Sequence, residues 1–462
     1  MVAALRSLLA ATALLAVFAT TAAAQDPACD RNWTGGNGNF NEAAHWPNGV
    51  PGTQDRACLP AGNYTVTVTA GTSPKGLTVG AGVTLVIKQS QYVDARAASF
   101  INHGTVQLEQ NATLYGPLTS DGTVEDTGTI PAGNNRPTIV GSIVNSGTLR
   151  ANQGLQLQRN DGTFESTGTL ATGSADALLN GTGYTDSPWT ISGTVDNPGL
   201  MQFQSGTMRV RAIATQTGNA FRTYDSKLDL TGATGATIET NNTVALTTNI
   251  PAGVTVRVTG RSNDGYLRLD GDHTNNGTLV FDSTDQFRGT TLSNTGVSAR
   301  LTNAGTLRTT GVSGSDRNVQ IPISNTATGT ITVDATTRMV FQNDAGETIT
   351  AGTFNANGNV WVQGGGGAPA TITQTGGTIA VGAGVSLFVT NGGRFNHQGG
   401  ASTGELQFQN GATLNPSGPG AAAYHVVGVV NLAGDVNAAT TITVEASGGQ
   451  SAQLTLAAPQ TV

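Results

Sequence analysis

One short phrase returns along most of the chain: a polar residue, glycine, threonine, then an aliphatic or aromatic residue. It reads Asn102-His103-Gly104-Thr105-Val106, Asp121-Gly122-Thr123-Val124 and Asn145-Ser146-Gly147-Thr148-Leu149. Further copies are Asp161-Gly162-Thr163-Phe164, Thr167-Gly168-Thr169-Leu170 and Ser192-Gly193-Thr194-Val195. In the second half its glycines are Gly277, Gly305, Gly329, Gly352, Gly377 and Gly404, at intervals of 28, 24, 23, 25 and 27 residues. A second phrase lies between these. Ala-Gly-Val, then Ser or Thr, then alternating apolar residues, occurs at Ala81–Ile87, Ala252–Val258 and Ala383–Val389. Self-similarity at such a period marks a stacked repeat architecture.

Glycine after Asn or Asp permits the positive φ of a tight corner. The Thr-aliphatic pair that follows starts a short strand with one side chain in and one out. A coil of about 25 residues with two or three such strands is one rung of a parallel β-solenoid. The expected fold is therefore an all-β parallel β-solenoid, or β-helix. Residues 63–450 supply about 15 rungs, a rod roughly 70 Å long. Asparagines at equivalent corners are expected to stack as ladders. Tandem β-sandwiches, the competing architecture, would repeat at about 100 residues with larger aromatics in the core. Residues 207–275 match the first phrase poorly and read as irregular rungs, a bend or an insertion. Gly364–Gly367 with Ala368-Pro369 reads as a projecting loop tip.

Composition narrows the class further. The 462 residues include 63 glycines, about twice ordinary usage. Charged residues are 11% of the chain and the net charge is −7, from 22 basic and 29 acidic residues. With lysine only at 75, 88 and 227, the chain lacks the basic surface that nucleic acid requires. Partner binding is expected to depend only weakly on salt.

Residues 1–24 read as a signal peptide. Arg6 precedes an apolar run from Leu8 to Phe18, and Ala22-Ala23-Ala24 offers a cleavage site. The run is too short to span a bilayer, so the mature chain is expected to carry no transmembrane span and to be secreted or held at the cell surface. Cys29 and Cys58 follow closely, and in an exported chain they are expected to form one disulfide, with a contribution of about 3–4 kcal/mol. Residues 25–62 also hold Trp33, Trp46, Pro47, Pro51 and Pro60, and suit a cover over the first rung. Residues 451–462 form a C-terminal tail after the repeats. No such cover follows the last strand-like run, Gln453–Leu456, so end-to-end or accessory-protein association is expected there.

The segment Trp33-Thr34-Gly35-Gly36-Asn37-Gly38-Asn39-Phe40, with His45-Trp46-Pro47-Asn48-Gly49-Val50-Pro51, resembles the N-terminal module of large bacterial surface β-solenoids. The rungs resemble those of filamentous haemagglutinin-type adhesins and autotransporter passenger regions. Phe40 stands where that family has a second tryptophan-like aromatic, and its delivery barrel is not expected in this chain. The resemblance implies a surface-exposed adhesive or structural rod. It transfers no catalytic residue.

Enzymes on parallel β-helices need clustered carboxylates on one face, about 5–10 Å apart. The densest candidate is Asp264, Arg268, Asp270, Asp272 and His273; on a strand Asp270 and Asp272 would share a face. Asp270-Gly271-Asp272 also reads simply as a turn. These residues carry the alternative reading, a polysaccharide lyase or glycoside hydrolase. The histidines His45, His103, His273, His397 and His425 have no metal-ligand spacing, and neither a metal nor a cofactor is expected. Gly35-Gly36-Asn37-Gly38-Asn39 is a single copy of calcium-repeat-like text without the aspartate. Thr330-Ile331-Thr332, Thr348-Ile349-Thr350 and Thr371-Ile372-Thr373 suggest an ice-binding array, but intervals of 18 and 23 do not hold one register. Trp189, Trp361, Tyr184, Tyr266 and Tyr424 lie on different rungs and are costly to bury in a narrow core, so some are expected at the surface, available to glycan or protein.

Overall fold

The computed structural model describes residues 26–127, 135–160, 162–183, 187–342, 345–364, 368–446 and 451–456. The leader-like segment 1–24, Asp161, Tyr184 and residues 365–367 lie outside the described residues. The chain winds into an all-β parallel solenoid of about 18 turns with a 22-residue spacing. At about 4.8 Å per rung this gives a rod roughly 85 Å long. The mean coil is shorter than the glycine intervals suggest, because coil length varies. Thr278 lies beside Thr306, a step of 28 residues, whereas Arg222 lies beside Glu239, a step of 17.

The coil has three sides. Side one begins with Thr65–Val68, Thr84–Ile87, Thr105–Leu108, Thr123–Asp126, Thr148–Ala151 and Thr169–Thr172. Side two begins with Tyr92–Asp94, Thr113–Tyr115, Thr138–Val140, Gly154–Gln158, Leu178–Thr182 and Leu200–Gln204. Side three begins with Gly76–Val79, Phe100–Asn102, Leu118–Ser120, Ile143–Asn145 and Phe164–Ser166. Within strands, apolar side chains alternate inward, as the period of two requires. The β-branched threonine that opens each of these six side-one strands suits the pleated surface.

Residues 207–275 are neither bend nor insertion. They continue the coil with altered corners. Pro188–Asn197 and Thr207–Gly218 run unbroken from side three into side one. Phe221–Asp229 and Thr237–Leu246 run unbroken from side two into side three. The bridges Ala212↔Thr234 and Ile250↔Asn275 then lead into a separate ladder on side one. Its strands include His273–Asn275, Leu301–Asn303, Ile323–Asn325, Glu347–Thr350, Thr371–Gln374 and Arg394–His397.

Most of the corner glycines are there for lack of volume, not for positive φ. Gly104, Gly122, Gly147, Gly168, Gly277, Gly305, Gly329 and Gly352 are absent from the left-handed region; Gly193, Gly377 and Gly404 occupy it. A Cβ on Gly122 would sit 2.1 Å from the Gly104 carbonyl oxygen, and one on Gly147 would sit 2.0 Å from that of Gly122. Successive coils thus touch backbone to backbone at the corner, where no side chain fits.

Beside the glycines runs the expected asparagine ladder. Asn102, Ser120, Asn145 and Ser166 stack in register between sides three and one. Asn102 Nδ2 donates to Ser120 Oγ and to the Thr123 carbonyl, both at 3.0 Å. In the second half Asn275, Asn303, Asn325, Thr350, Gln374 and His397 form the column, now between sides one and two. Asn275 donates to Asn303 Oδ1 at 2.7 Å, and Asn303 to Asn325 Oδ1 at 2.8 Å. Each Asn also donates to the threonine carbonyl one coil on, Thr306 or Thr330. The buried amide N–H groups of Asn102, Asn275 and Asn303 are thereby satisfied, and these bonds tie one coil to the next.

The N-terminal end is covered. Trp33, Phe40 and Trp46 are buried, with Trp46 edge-on to both other rings at 5.2 Å. Trp46 Nε1 donates to the Phe40 carbonyl at 2.6 Å. The Cys29–Cys58 disulfide, with Cα atoms 5.8 Å apart, pins this segment beside the short pairing of Arg31–Asn32 with Ala57–Cys58. At the other end Gln453–Leu456 pairs with Val429–Leu432, and Val444 and Leu456 are exposed.

The core takes larger residues than expected. Trp189 and Tyr424 are buried, not at the surface; Trp361 and Tyr266 are half-buried. Trp189 packs with Phe164 and Phe203 at centroid distances of 5.4 and 5.2 Å. Gly181 makes the room: a Cβ there would lie 2.5 Å from the Phe203 ring and 2.8 Å from that of Trp189.

Candidate functional site

Asp264, Arg268, Asp270, Asp272 and His273 do not form one carboxylate site. Asp264 precedes the strand Gly265–Leu269 and Asp270 follows it, so they stand at opposite ends, about 20 Å apart along an extended chain. Asp264 accepts the Gly289 N–H at 3.1 Å, and Asp272 accepts the Arg300 N–H at 2.8 Å. Asp270 pairs with the buried His273 through Nε2 at 2.7 Å. Arg268 points outward over the Tyr266 ring at 5.8 Å. Asp270-Gly271-Asp272 is a bend, not a strand, so the expected shared strand face does not arise. Only Asp270 and His273 are brought together.

The threonine-isoleucine-threonine segments do not align either. Glu347 lies beside Thr371, so Thr348 and Thr350 meet Ile372 and Gln374. A different threonine column does exist, through Thr84, Thr105, Thr123, Thr148 and Thr169. It is one residue wide: the neighbouring outward column reads Val86, Gln107, Glu125, Arg150, Ala171.

The calcium-like glycine text turns over the rod's end. Gly35 and Gly36 take φ of 93° and 81°, and Asn37 Oδ1 accepts the Thr65 N–H at 2.7 Å. Among the described residues there is no group of three or more His, Cys, Asp or Glu side chains able to hold a metal ion, and no helix long and apolar enough to cross a membrane. His103 Nδ1 meets Asp121 at 2.8 Å and its Nε2 meets Asp26 at 3.0 Å. Burial lowers the affinity of this imidazole for a proton, but hydrogen bonds to Asp121 and Asp26 outweigh it, and its pKa is raised.

Two surface features on side two stand out. The first is a charged groove. Glu239, mostly buried, accepts from Arg222 Nε at 2.8 Å and Arg261 Nε at 2.9 Å, while Arg257 pairs with Asp282 at 2.8 Å. With the corner residues Gly199, Gly218 and Asn219 they enclose about 670 Å³.

The second feature is an uncharged strip. Two adjacent outward columns descend side two. One runs Thr113, Thr138, Gln156, Asn180, Gln202; the other runs Tyr115, Val140, Gln158, Thr182, Gln204. Register places Gln204 beside its own column's next member, Tyr224, and Tyr224 Oη donates to Gln204 Oε1 at 3.1 Å. Gln202 Nε2 donates to Asn180 Oδ1 at 3.0 Å. At the upper end Arg96 lies over the Tyr115 ring at 5.0 Å and pairs with Asp94, beside a depression of about 450 Å³ that Gln158 also lines.

Sequence reasoning missed this strip because its members lie a coil apart. The available signal was Gln156-Leu157-Gln158 against Gln202-Phe203-Gln204, two coils on, with Asn180-Gly181-Thr182 between them. No protein-family model, curated protein or solved structure matches the chain.

Proposed function

We propose that the chain is a non-enzymatic structural or adhesive rod, secreted or held at the cell surface, that binds glycan or protein along a repeat surface. The observation that carries this reading is the continuous bracing of coil against coil. Stacked corner glycines and buried amide ladders occur in both halves. Such bracing fixes the backbone while leaving the outward columns free to present side chains at a regular pitch. The resemblance of the Gly-Thr-aliphatic rungs to haemagglutinin-type adhesins and autotransporter passengers supports the same reading. So do the carboxylates of the alternative enzyme reading, because Asp264, Asp270 and Asp272 are taken up in tying corners.

The test incubates the purified protein with acidic and neutral polysaccharides, following new reducing ends and unsaturated products and scoring retained protein in the same wells. Retention without turnover is the expected result. Turnover that disappears in an Asp270→Asn, Asp272→Asn double variant would replace the rod by an enzyme.

A further inference from the structure

We propose that the uncharged strip on side two is a binding track for a neutral, unbranched polysaccharide lying along the rod axis. This rests on the adhesive reading above and names its ligand class and face.

The chemistry of the strip is selective. Gln156, Gln158, Asn180, Gln202 and Gln204 are all half-buried, so each keeps an open edge, and the Gln202–Asn180 and Tyr224–Gln204 bonds hold three of the five amides in place. A carboxamide presents a donor and an acceptor side by side, which matches a pair of adjacent sugar hydroxyls. Tyrosines bound the strip at both ends, Tyr115 above and Tyr224 below. A tyrosine offers a ring face for the apolar side of a sugar and a hydroxyl for its rim. Between Tyr115 and Gln204 neither outward column contains a charged residue. The outward columns of the other sides do carry charge over the same coils, with Glu125 and Arg150 on side one and Glu165 on side three. Between the Asp94–Arg96 pair above and Arg222 below, charge is thus kept off this stretch of side two, while the other sides carry it over the same coils.

Geometry adds direction. Parallel strands repeat the same side-chain position once per coil, about 4.8 Å apart. That pitch is close to the length of one sugar ring in an extended glycan, so successive sugars meet equivalent amides. The track ends where Arg222 and Glu239 continue the first column. An uncharged ligand gains nothing from that ion-paired groove. A carboxylate-bearing glycan would prefer it.

The experiment is affinity electrophoresis of the full-length protein in gels cast with glucomannan, xylan, dextran or polygalacturonate. The wild type is expected to be retarded by at least one neutral linear glycan, with retardation unchanged between low and high salt. The Gln156→Ala, Gln158→Ala, Gln202→Ala triple variant should bind that glycan at least tenfold more weakly. Thr119→Ala with Glu165→Ala, on side three, should bind as the wild type does. Gln158→Glu keeps shape and volume but adds charge, so it should weaken binding several-fold without lowering the melting temperature. That variant protects the test against misfolding of the triple one. Wild-type retardation by polygalacturonate alone, lost at high salt, would overturn the track and direct attention to the arginine groove. Undiminished binding by both strip variants would overturn it while leaving the adhesive rod in place. Absence of retardation in all four gels would overturn it too, and the retention assay above would then decide the rod separately.

Discussion

The two halves of the rod solve the same problem at different corners. In the first half the glycine stack and asparagine ladder lie between sides three and one, through Asn102 and Asn145. In the second they lie between sides one and two, through Asn275, Asn303 and Asn325. The changeover occupies the middle coils, where Pro188–Asn197 and Thr207–Gly218 flatten the first corner. A second buried polar set has by then begun at the other corner. Asp126 accepts the N–H groups of Asn152, Gln153 and Gly154, and one later step pairs Thr172 with Asn197 at 3.1 Å. The bracing is therefore a portable unit. It needs a glycine where backbones meet and an amide beside it, but no fixed place on the coil.

If the stacked glycines do the same job in both halves, Gly147→Ala and Gly305→Ala should be equally damaging. Their Cβ atoms would fall 2.0 Å from the Gly122 carbonyl oxygen and 2.2 Å from that of Gly277. Each should cost about 3 kcal/mol or more, since backbone on both sides resists displacement. Gly253→Ala is the reference. Gly253 has φ of 77° and open space around its Cβ position, so only the left-handed penalty applies, about 1–2 kcal/mol. Thermal melting of the three variants ranks them; a Gly253→Ala loss as large as the others would refute the close-approach account.

Reduction of Cys29–Cys58 should separate the halves. The disulfide closes a loop with a sequence separation of 29, for which chain entropy gives about 3–4 kcal/mol. In a solenoid each coil contacts only its neighbours, so the loss should be felt near Trp33, Phe40 and Trp46 and fade along the rod. Amide hydrogen exchange with and without reductant measures this. Equal deprotection of Thr65–Val68 and Thr330–Val333 would contradict it.

The ladders themselves differ in strength. Asn303 accepts from Asn275 at 2.7 Å and donates to Asn325 at 2.8 Å and to the Thr330 carbonyl at 3.1 Å. Asn145 donates to Ser166 Oγ at 3.0 Å, but its bonds to the Gly147 and Thr169 carbonyls are both 3.4 Å. Asn303→Ala should therefore cost about 2–3 kcal/mol and Asn145→Ala about 1 kcal/mol, by chemical denaturation. The reverse order would mean that the corner, not the amide, sets the strength.

The same comparison explains what the sequence reveals. Period and corner composition are local, so the solenoid, the amide ladder and the disulfide pairing could be read directly. The corner at which the phrase sits is not local: it depends on register with coils before and after, and residues 207–275 looked irregular for that reason. Burial of Trp189 depends on Gly181, eight residues before it, leaving room for the ring, and on Phe203, which comes beside Gly181 only through register with the next coil. Asp270 and Asp272 look like a shared strand face only if Gly271 continues the strand, and it bends instead. The amide strip is the extreme case, because its residues become neighbours only after winding.

The smallest expected effect is a pH response confined to the first half. His103 joins Asp121, on the next coil, to Asp26 at the start of the described chain. Burial opposes its charge, but the two carboxylate hydrogen bonds raise its pKa above the ordinary 6.5. A group whose pKa is higher in the folded than in the unfolded state binds protons more tightly when folded. Its contribution is therefore fully present below pH 6.5 and is lost as pH rises through the raised value. The side chain is one-third exposed, so solvent screens the pairing and the effect should be modest. Raising the pH from 6 to 9 should free the segment around Asp26 to limited proteolysis while the ladder through Asn303 is unchanged. His103→Gln should be cut equally at both values. A wild type cut equally at pH 6 and 9 would show that the disulfide and the aromatic cover hold this end without help from charge.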